Sequence, residues 1–491
     1  MSEESNNEEK LSNALSDFPY SFKTTLKALD IKGDFEKYAG KEVSIAGRIM
    51  AIRKAGKLVF IDILDQSGKI QGYFDYNIIQ ERFENLKTFN MGDIIGITGN
   101  VFKTNPGEIS INANQFTLLA KALKVLPNKW KGVQDTELRY RRRYLDLIMN
   151  NDTRTTLANR SNIIKLIRGY LDNIGFIEFE TPTIQPLYGG ADAEPFRTFV
   201  NTLNEEDYLR ISNELYLKRL LIGGFEKIYE VYKAFRNEDI DTTHSPEFTM
   251  LEAYQAYVDY EEMMRIAENM LESVTLSMFN STTIKFQEKE ISMKAPFKRI
   301  KYVDSINEVL GLDILSLSED ELFSVAEKNG IRFDKGKRFR AHAYDKLFET
   351  LVQPKLNQPT FATDFPKETS PLTRPKRGDS RLVERFELYI SGMEIANAYS
   401  ELNNPIIQKR NFEEEEKKAK IGDKEAEPLD MDFIEAMEYG MPPAGGIGIG
   451  IDRLVMILTG HASIKEVIAF PMEKRERKEK TQEKKDAIQK I

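Results

Sequence analysis

From Phe225 to Tyr260 the chain alternates with a period of two on either side of a charged loop. Ile228, Glu230, Tyr232, Ala234, Arg236 and Glu238 share one face, while Tyr229, Val231 and Phe235 make the other face apolar. Beyond the loop, Phe248, Met250, Glu252, Tyr254 and Ala256 keep the same period. The pattern predicts two strands that put Arg236 and Glu238 on one face, with Glu252 and Tyr254 on one face of the partner. Charged side chains on half-buried strands are costly unless something compensates them. An internal ion pair would do so; so would a ligand, with an arginine fork suited to phosphate or carboxylate and Glu252 suited to a cation.

The rest of the chain divides by its periodicity. Residues 1–38 read as an acidic, disordered start followed by a short helix between Phe22 and Tyr38. From Lys41 to about Lys124, five short apolar-alternating runs are broken by turns at Lys54–Lys57 and Gln66–Lys69, with a helix-like interval from Ile78 to Phe89. Five such strands predict a small barrel of the OB type over 39–125, either a reader of single-stranded nucleic acid or a barrel that only packs on its neighbour. Residues 126–152 form a basic link, in which Arg139, Arg141, Arg142 and Arg143 suit either nucleic-acid phosphates or a solvated or subunit-contact helix face. After Thr153 the period becomes helical, with Ile163, Ile164, Ile167 and Leu171 in one stripe and Gly175 as the stop. A strand-like run, FIEFETPTI, follows, and residues from about 262 to 358 read as amphipathic helix with polar breaks. The end, 473–491, alternates lysine and glutamate, which suits a solvated extension or a weak RNA contact.

Composition narrows the chemistry. With 41% hydrophobic and 30% charged residues, the 491-residue chain can bury a large core in two or three domains. The absence of cysteine excludes disulfides and thiol chemistry, and three distant histidines, His244, His342 and His461, give no zinc pattern. Any catalytic metal is therefore expected to be a hard cation on carboxylates. No apolar run is long enough for a membrane span and the acidic N-terminus has no signal-peptide core, which suits a cytoplasmic protein. A net charge of −8 means that any nucleic acid must be met by local basic patches and stacking.

Near the C-terminus, Gly446, Gly448 and Gly450 alternate with Ile447, Ile449 and Ile451, and Asp452–Arg453 opens a helix packed through Leu454, Val455, Ile457 and Leu458. A strand of this kind bares one face for a flat ring or a close backbone; equally, the glycines would admit a tightly packed helix. Arg453 would stand near a triphosphate held there. There is no Walker A sequence and no full dinucleotide fingerprint.

Three ordered blocks carry a resemblance. FRNEDIDTTHSPEFTMLEAYQAY is similar to motif 2 of the class II aminoacyl-tRNA synthetases, GFIEFETPTIQPLYGGADAEPF from Gly175 resembles motif 1 and its following loop, and GGIGIGIDRLVMIL from Gly445 resembles motif 3. Within the class, the likeness is greatest to the lysyl enzymes and runs from about residue 40 to Pro471. It implies an α+β fold, with an antiparallel catalytic sheet flanked by helices over 153–472, a helical insertion at about 262–358 and an N-terminal OB-fold anticodon-binding domain.

The resemblance also implies roles. Glu214, Glu252, Tyr254, Asn397, Tyr399 and Glu401 match lysine-binding positions, and acids facing a narrow pocket suit an ammonium group. Arg236 and Arg453 match the catalytic arginines; Arg236, Glu238, His244, Phe248, Gly448, Gly450 and Arg453 match ATP-binding positions. Glu387 and Glu394 match magnesium ligands, which a bend at Ser391–Gly392 must bring together. Phe60, Gln71 and Gln115 match anticodon contacts, although the family often has glutamate where Gln115 stands. Thr243 replaces the family's usual arginine before the histidine. The implied partners are L-lysine, ATP with Mg2+, tRNA(Lys) and a second copy of the chain, the helix from Thr153 and the strand after it forming the homodimer interface. Two rivals are a paralogue that makes lysyl-adenylate to modify a protein and a catalytically silent RNA-binding protein.

Overall fold

The computed structural model describes residues 18–127, 135–333, 339–421 and 427–474. The expectations for 1–17 and for the terminal extension from 475 lie outside these. The chain forms two compact units, residues 1–134 and 135–491.

The first unit is a closed barrel of five strands, β1 (Glu42–Ala55), β2 (Leu58–Leu64), β3 (Lys69–Asp75), β4 (Ile94–Lys103) and β5 (Ile109–Ala120), in the order β1-β2-β3-β5-β4. Alternation creates it: Ile45, Ile49, Ile61, Ile63, Phe74, Ile95, Ile97 and Ile111 point inward and are fully buried. The helix expected between Phe22 and Tyr38 is shorter, split into Ala28–Gly33 and Phe35–Tyr38. Ala28 and Ile31 join the barrel core, so this segment closes the barrel rather than extending from it.

The second unit is built on a nine-stranded sheet. Its strands are β6 (Ile177–Glu178), β7 (Lys227–Phe235), β8 (Glu247–Ala256), β9 (Lys298–Lys301), β10 (Thr360–Pro366), β11 (Asp379–Ile390), β12 (Met393–Ser400) and β13 (Ala444–Gly450), with Pro375–Lys376 paired to β11. The order β9-β10-β11-β12-β13-β8-β7-β6 makes the six central strands antiparallel, with one parallel strand at each edge. Helices α1 (Asn151–Asn173), α2 (Glu214–Ile222), α3 (Tyr260–Phe279), α4 (Arg340–Leu351) and α5 (Ile451–Thr459) surround it. Ile163, Ile167 and Leu171 of α1, Met263 and Ala267 of α3, and Leu454 and Val455 of α5 cover one sheet face through Leu251, Ala253, Ala396 and Ile449. The other face is covered toward one edge by α2, through Leu215 and Leu217 with Ile228 and Ala256, and toward the other by α4, through Leu347 and Phe348 with Phe365 and Tyr389, and a cavity lies between.

Several expectations need correction. The FIEFETPTI run forms only two-residue strands at Ile177–Glu178 and Ile184–Gln185, because Pro182 removes a ladder donor between them. The interval 262–358 is not simply helical: Thr283–Phe286 and Lys289–Ser292 form a hairpin, β9 joins the sheet edge, and α3 belongs to the main core. The basic link does not stay open past residue 135, where Thr136–Arg141 and Arg143–Met149 are helical. Arg143 is fully buried, donating to Asp146 and to the carbonyls of Lys465, Ile468 and Ala469; Arg139 is taken by Asp146, Thr153 and Glu466. A buried guanidinium is costly without such partners, so these two arginines fasten the segment and do not meet phosphate.

Candidate active site

Register places the site. Reading across the cavity-bearing face, Glu387 of β11 faces Asn397 of β12, Asn397 faces Gly448 of β13, Gly448 faces Glu252 of β8, and Glu252 faces Glu230 of β7. One row therefore carries an acid, an amide, a gap and two acids. Glu387 and Glu252 lie about 14 Å apart at three strand spacings. The neighbouring row runs Arg385, Tyr399, Gly446, Tyr254, Ile228. Gly446 is fixed by crowding, since a Cβ there would lie 2.1 Å from Glu401 Oε1 and 2.4 Å from the Tyr254 ring. At Gly448 the nearest atom would be 3.4 Å away, so this glycine leaves open floor rather than relieving a clash.

Above the rows is a cavity of about 400 Å3. Every residue expected to bind lysine lines it except Glu401, every residue expected to bind ATP lines it, and of the two expected metal ligands Glu394 does and Glu387 does not. Glu252 stands at the acid end. Its Oε1 accepts from Ser212 (2.9 Å) and Tyr232 (2.5 Å) and its Oε2 from Tyr254 (3.0 Å). Burial, helped by the charge of Glu214, nevertheless pushes its carboxyl up to about 7 against those three bonds. Glu230, one strand over, is an ion pair of the structural kind: Arg210 donates to it at 2.8 Å, with Thr181 and Asn213 filling its other oxygen.

Arg236 is not part of that pair. Strand β7 ends at Phe235, so Arg236 and Glu238 leave the loop that follows, not the strand itself. The Arg236 guanidinium lies 5.2 Å over the Phe248 ring, and its buried Nε has no hydrogen-bond partner. Arg210 and Arg236 thus divide the alternatives between them, one spent on structure and one held ready. Glu238 accepts from the Glu194 amide at 3.2 Å. His244 is gripped from both sides, by Asp241 at Nδ1 (2.8 Å) and by Arg453 at Nε2 (2.8 Å). A guanidinium only donates, so Nε2 accepts and the proton sits on Nδ1. Arg453 reaches the loop from the start of α5, and that helix is anchored by Asp452, which takes Arg160 of α1 and the Thr249 amide, each at 2.5 Å. The loop is braced by its own side chains where Thr243 stands; Arg453 also donates to the Thr243 carbonyl at 3.5 Å.

At the other end, β11 and β12 turn at Ser391 and Gly392, both with positive φ, and Glu394 comes to face Tyr389 two residues from Glu387. Glu387 is buried and held by Arg385 (2.5 Å) and by the Tyr389 hydroxyl. Burial and the charge of Glu394 push it up to about 7, opposed by Arg385. Arg385 also donates to Asn397 Oδ1 at 3.0 Å, so one guanidinium orients both a candidate metal ligand and a candidate substrate ligand. Among the described residues no group of three or more acids or histidines surrounds a metal position. Two carboxylates do fit magnesium, which takes one or two of them and fills its remaining positions with water and phosphate oxygens.

In the barrel, Phe60 and Gln71 lie on the same outer face. Phe60 meets Tyr73 edge-on at 5.4 Å, Tyr73 meets Phe102 at 5.2 Å, and Gln71 accepts from Ser110 at 2.9 Å. Gln115 is exposed further along β5 beside Thr98. Sequence reasoning passed over Ser212, Tyr232, Lys218, Arg385 and Glu427, all of which support or enter the site.

Residues 135–474 match the family described as tRNA synthetases class II (D, K and N), and residues 43–119 match OB-fold nucleic acid binding domain. The chain is 48% identical over 471 residues to lysine–tRNA ligase 2 of Methanosarcina mazei, covering 95% of this chain and 92% of that protein. It is 47% identical over 456 residues to lysine–tRNA ligase of Clostridium botulinum, covering 92% and 90%. To lysine–tRNA ligase of Methanospirillum hungatei it is 47% identical over 465 residues, covering 94% and 92%.

Proposed function

The chain belongs to the class II tRNA synthetases of the aspartate, lysine and asparagine group, and from that premise we propose that it is a lysine–tRNA ligase, activating L-lysine with ATP and passing it to the 3′ end of tRNA(Lys). One observation supports this most: a single cavity is lined by Glu214 and Glu252 together with Arg236, whose buried Nε has no hydrogen-bond partner. Acids suit an ammonium. An asparagine side chain would bring no cation to this acid-lined end and an aspartate would add another negative charge, a mismatch of several kcal/mol in a buried site.

The chemistry follows from the placement. Arg236 gathers the lysine carboxylate and the α-phosphate, and Asn397, oriented by Arg385, steadies the same carboxylate. A carboxylate oxygen bonds to the α-phosphorus while the bond to the pyrophosphate oxygen breaks, and Arg236 stabilises the charge that spreads over the phosphoryl oxygens. No general base is needed, because the nucleophile is already ionised. A ribose hydroxyl of tRNA then bonds to the lysyl carbonyl carbon, the bond from that carbon to the phosphate oxygen breaks, and AMP leaves with the hydroxyl proton taken up at its phosphate. Phe248 offers its ring to adenine beside Glu238, and His244 with Arg453 lies on the triphosphate side. Magnesium, held by Glu387 and Glu394, would neutralise charge on the phosphates. With Thr243 in place of the family's arginine, γ-phosphate binding leans on Arg453 and His244, which bond to each other at 2.8 Å, and on the metal.

Lysine-dependent ATP–pyrophosphate exchange, run with each of the twenty amino acids, tests this reading. Lysine is expected to drive exchange at least about a hundredfold better than any other. Exchange driven by aspartate and not by lysine would overturn it.

The barrel is the anticodon reader in this proposal, with Phe60 as the stacking ring and Gln71 as the edge contact. Loss of one stacked base contact costs about 1–3 kcal/mol. Phe60→Ala is therefore expected to raise the KM for tRNA roughly 5- to 150-fold in a charging assay, with tRNA-independent exchange within about twofold of the parent. Equal losses in both assays would count against it. The chain also works as a homodimer in the cytoplasm on this reading: β6 is a sheet edge, and Ile177 and Ile184 nearby stand half exposed, apolar surface suited to a second copy. No helix among the described residues is long and apolar enough to cross a membrane.

A further inference from the structure

Lys218 is fully buried on α2, one turn after Glu214. Its ammonium donates to Glu214 Oε1 at 2.5 Å and lies 2.5 Å from Glu401 Oε2 and 5.6 Å over the Tyr399 ring. The Tyr399 hydroxyl donates to the other oxygen of Glu214 at 2.5 Å. Glu401 itself is fully buried and outside the cavity lining. The acid expected to grip the substrate is thus gripped by a lysine of the chain, while Glu214, sharing that lysine, faces the cavity.

We propose that Lys218 is a positioning residue for the amino-acid pocket: clamped between Glu214 and Glu401, its ammonium sets a cation among these crowded acids and holds the Glu214 carboxyl in place toward the cavity. The proposal rests on the reading of Glu214 as a substrate ligand. Its physical basis is the charge count. Glu214 from α2, Glu401 from the end of β12, Glu252 from β8 and Glu427 before residue 430 crowd one buried region, with Tyr254 and Tyr399 between them. Buried acids this close take up protons unless a cation is present. Burial pushes Glu401 up and Lys218 opposes it; burial alone would lower Lys218, but Glu214 and Glu401 hold it protonated. Without the lysine, acids crowded this closely would take up a proton, which the incoming ammonium would have to displace.

The test is exchange kinetics between about pH 6.5 and pH 8.5. Glu252, pushed up to about 7, titrates in every variant, so the readout is the difference from the parent. Lys218→Met is expected to raise the KM for lysine about tenfold or more at pH 7, to leave the KM for ATP within about threefold, and to make the lysine KM fall with rising pH by up to one further tenfold per pH unit, the slope of one displaced proton. The double variant Lys218→Met with Glu401→Gln removes one cation and one anion together. It is expected to restore the parent slope, and it carries the test alone if the single variant does not fold. A single variant with the parent lysine KM and slope, lysine and ATP KM values rising together with no change of slope, or a double variant steeper than the parent would each overturn the proposal. Glu214→Gln separates this from the underlying reading: if it leaves the lysine KM unchanged, the pocket assignment fails, whatever Lys218 does.

Discussion

Arg236→Ala is expected to lower kcat/KM for lysine-dependent exchange on the order of 1000-fold, with little change in melting temperature. The two halves of that outcome come from the same geometry. Among the described residues the Arg236 side chain has no ion-pair partner, its buried Nε is unbonded, and its ring contact is with Phe248, about 1 kcal/mol of cation–π contact. Removing it relieves an unsatisfied donor and loses one ring contact, so stability is nearly balanced. On this reading the reaction loses the guanidinium that holds a carboxylate and a phosphoryl group together. Arg236→Lys keeps the charge and loses the planar fork, and is expected to recover no more than about tenfold. Exchange within about tenfold of the parent in Arg236→Ala would remove this residue from the chemistry. Arg210→Ala gives the contrast: it would strand Glu230 as a buried unpaired charge and cost about 3–5 kcal/mol of stability.

That contrast marks how far the sequence could be read. Period-two alternation put Glu230, Glu252 and Tyr254 on strand faces and carried Arg236 one residue past the end of its strand, and it left open whether these charges served structure or a ligand. Both turned out to be true of different residues, and only spatial partners separate them: Arg210 lies 20 positions before Glu230 and reaches it from another element. The row Glu387–Asn397–Gly448–Glu252 was illegible for the same reason. Each member sits in a recognisable motif, but which faces which depends on register between strands as far apart as Glu252 and Gly448, about 200 positions. Arg139 and Arg143 misled because a basic run reads as surface, whereas three backbone carbonyls and two acids draw them inward. The hairpin within 262–358 left a signal that a helical reading passed over: Ile284, Phe286, Ile291 and Met293 are buried in alternation around a turn at Gln287, whose φ is 51°. Lys218 sat unremarked in ELYLKRL, where a helical lysine four residues after a glutamate usually signals a surface pair.

Glu252→Gln is expected to make the ligand-free protein more stable at pH 8 while raising the KM for lysine roughly 30-fold or more. The Glu252 carboxyl is wholly buried and raised from 4.5 to about 7. A raised carboxyl favours folding in its protonated form. Its contribution is therefore fully present below 4.5, is lost as pH rises through 7, and above that the carboxylate burdens the fold by up to roughly 3 kcal/mol. A glutamine carries no such burden, and its amide can still bond to Ser212, Tyr232 and Tyr254, whose hydroxyls accept as well as donate. The melting temperature of the variant should exceed the parent's by several degrees at pH 8, and the gap should close toward pH 5. Added lysine should narrow it from the other side, stabilising the parent by binding its folded state and the variant much less. The physical point is that the fold tolerates an unneutralised acid where the substrate brings the missing charge. A variant that melts below the parent at pH 8 and binds lysine as tightly would show instead that Glu252 is held for the sake of the hydrogen bonds around it.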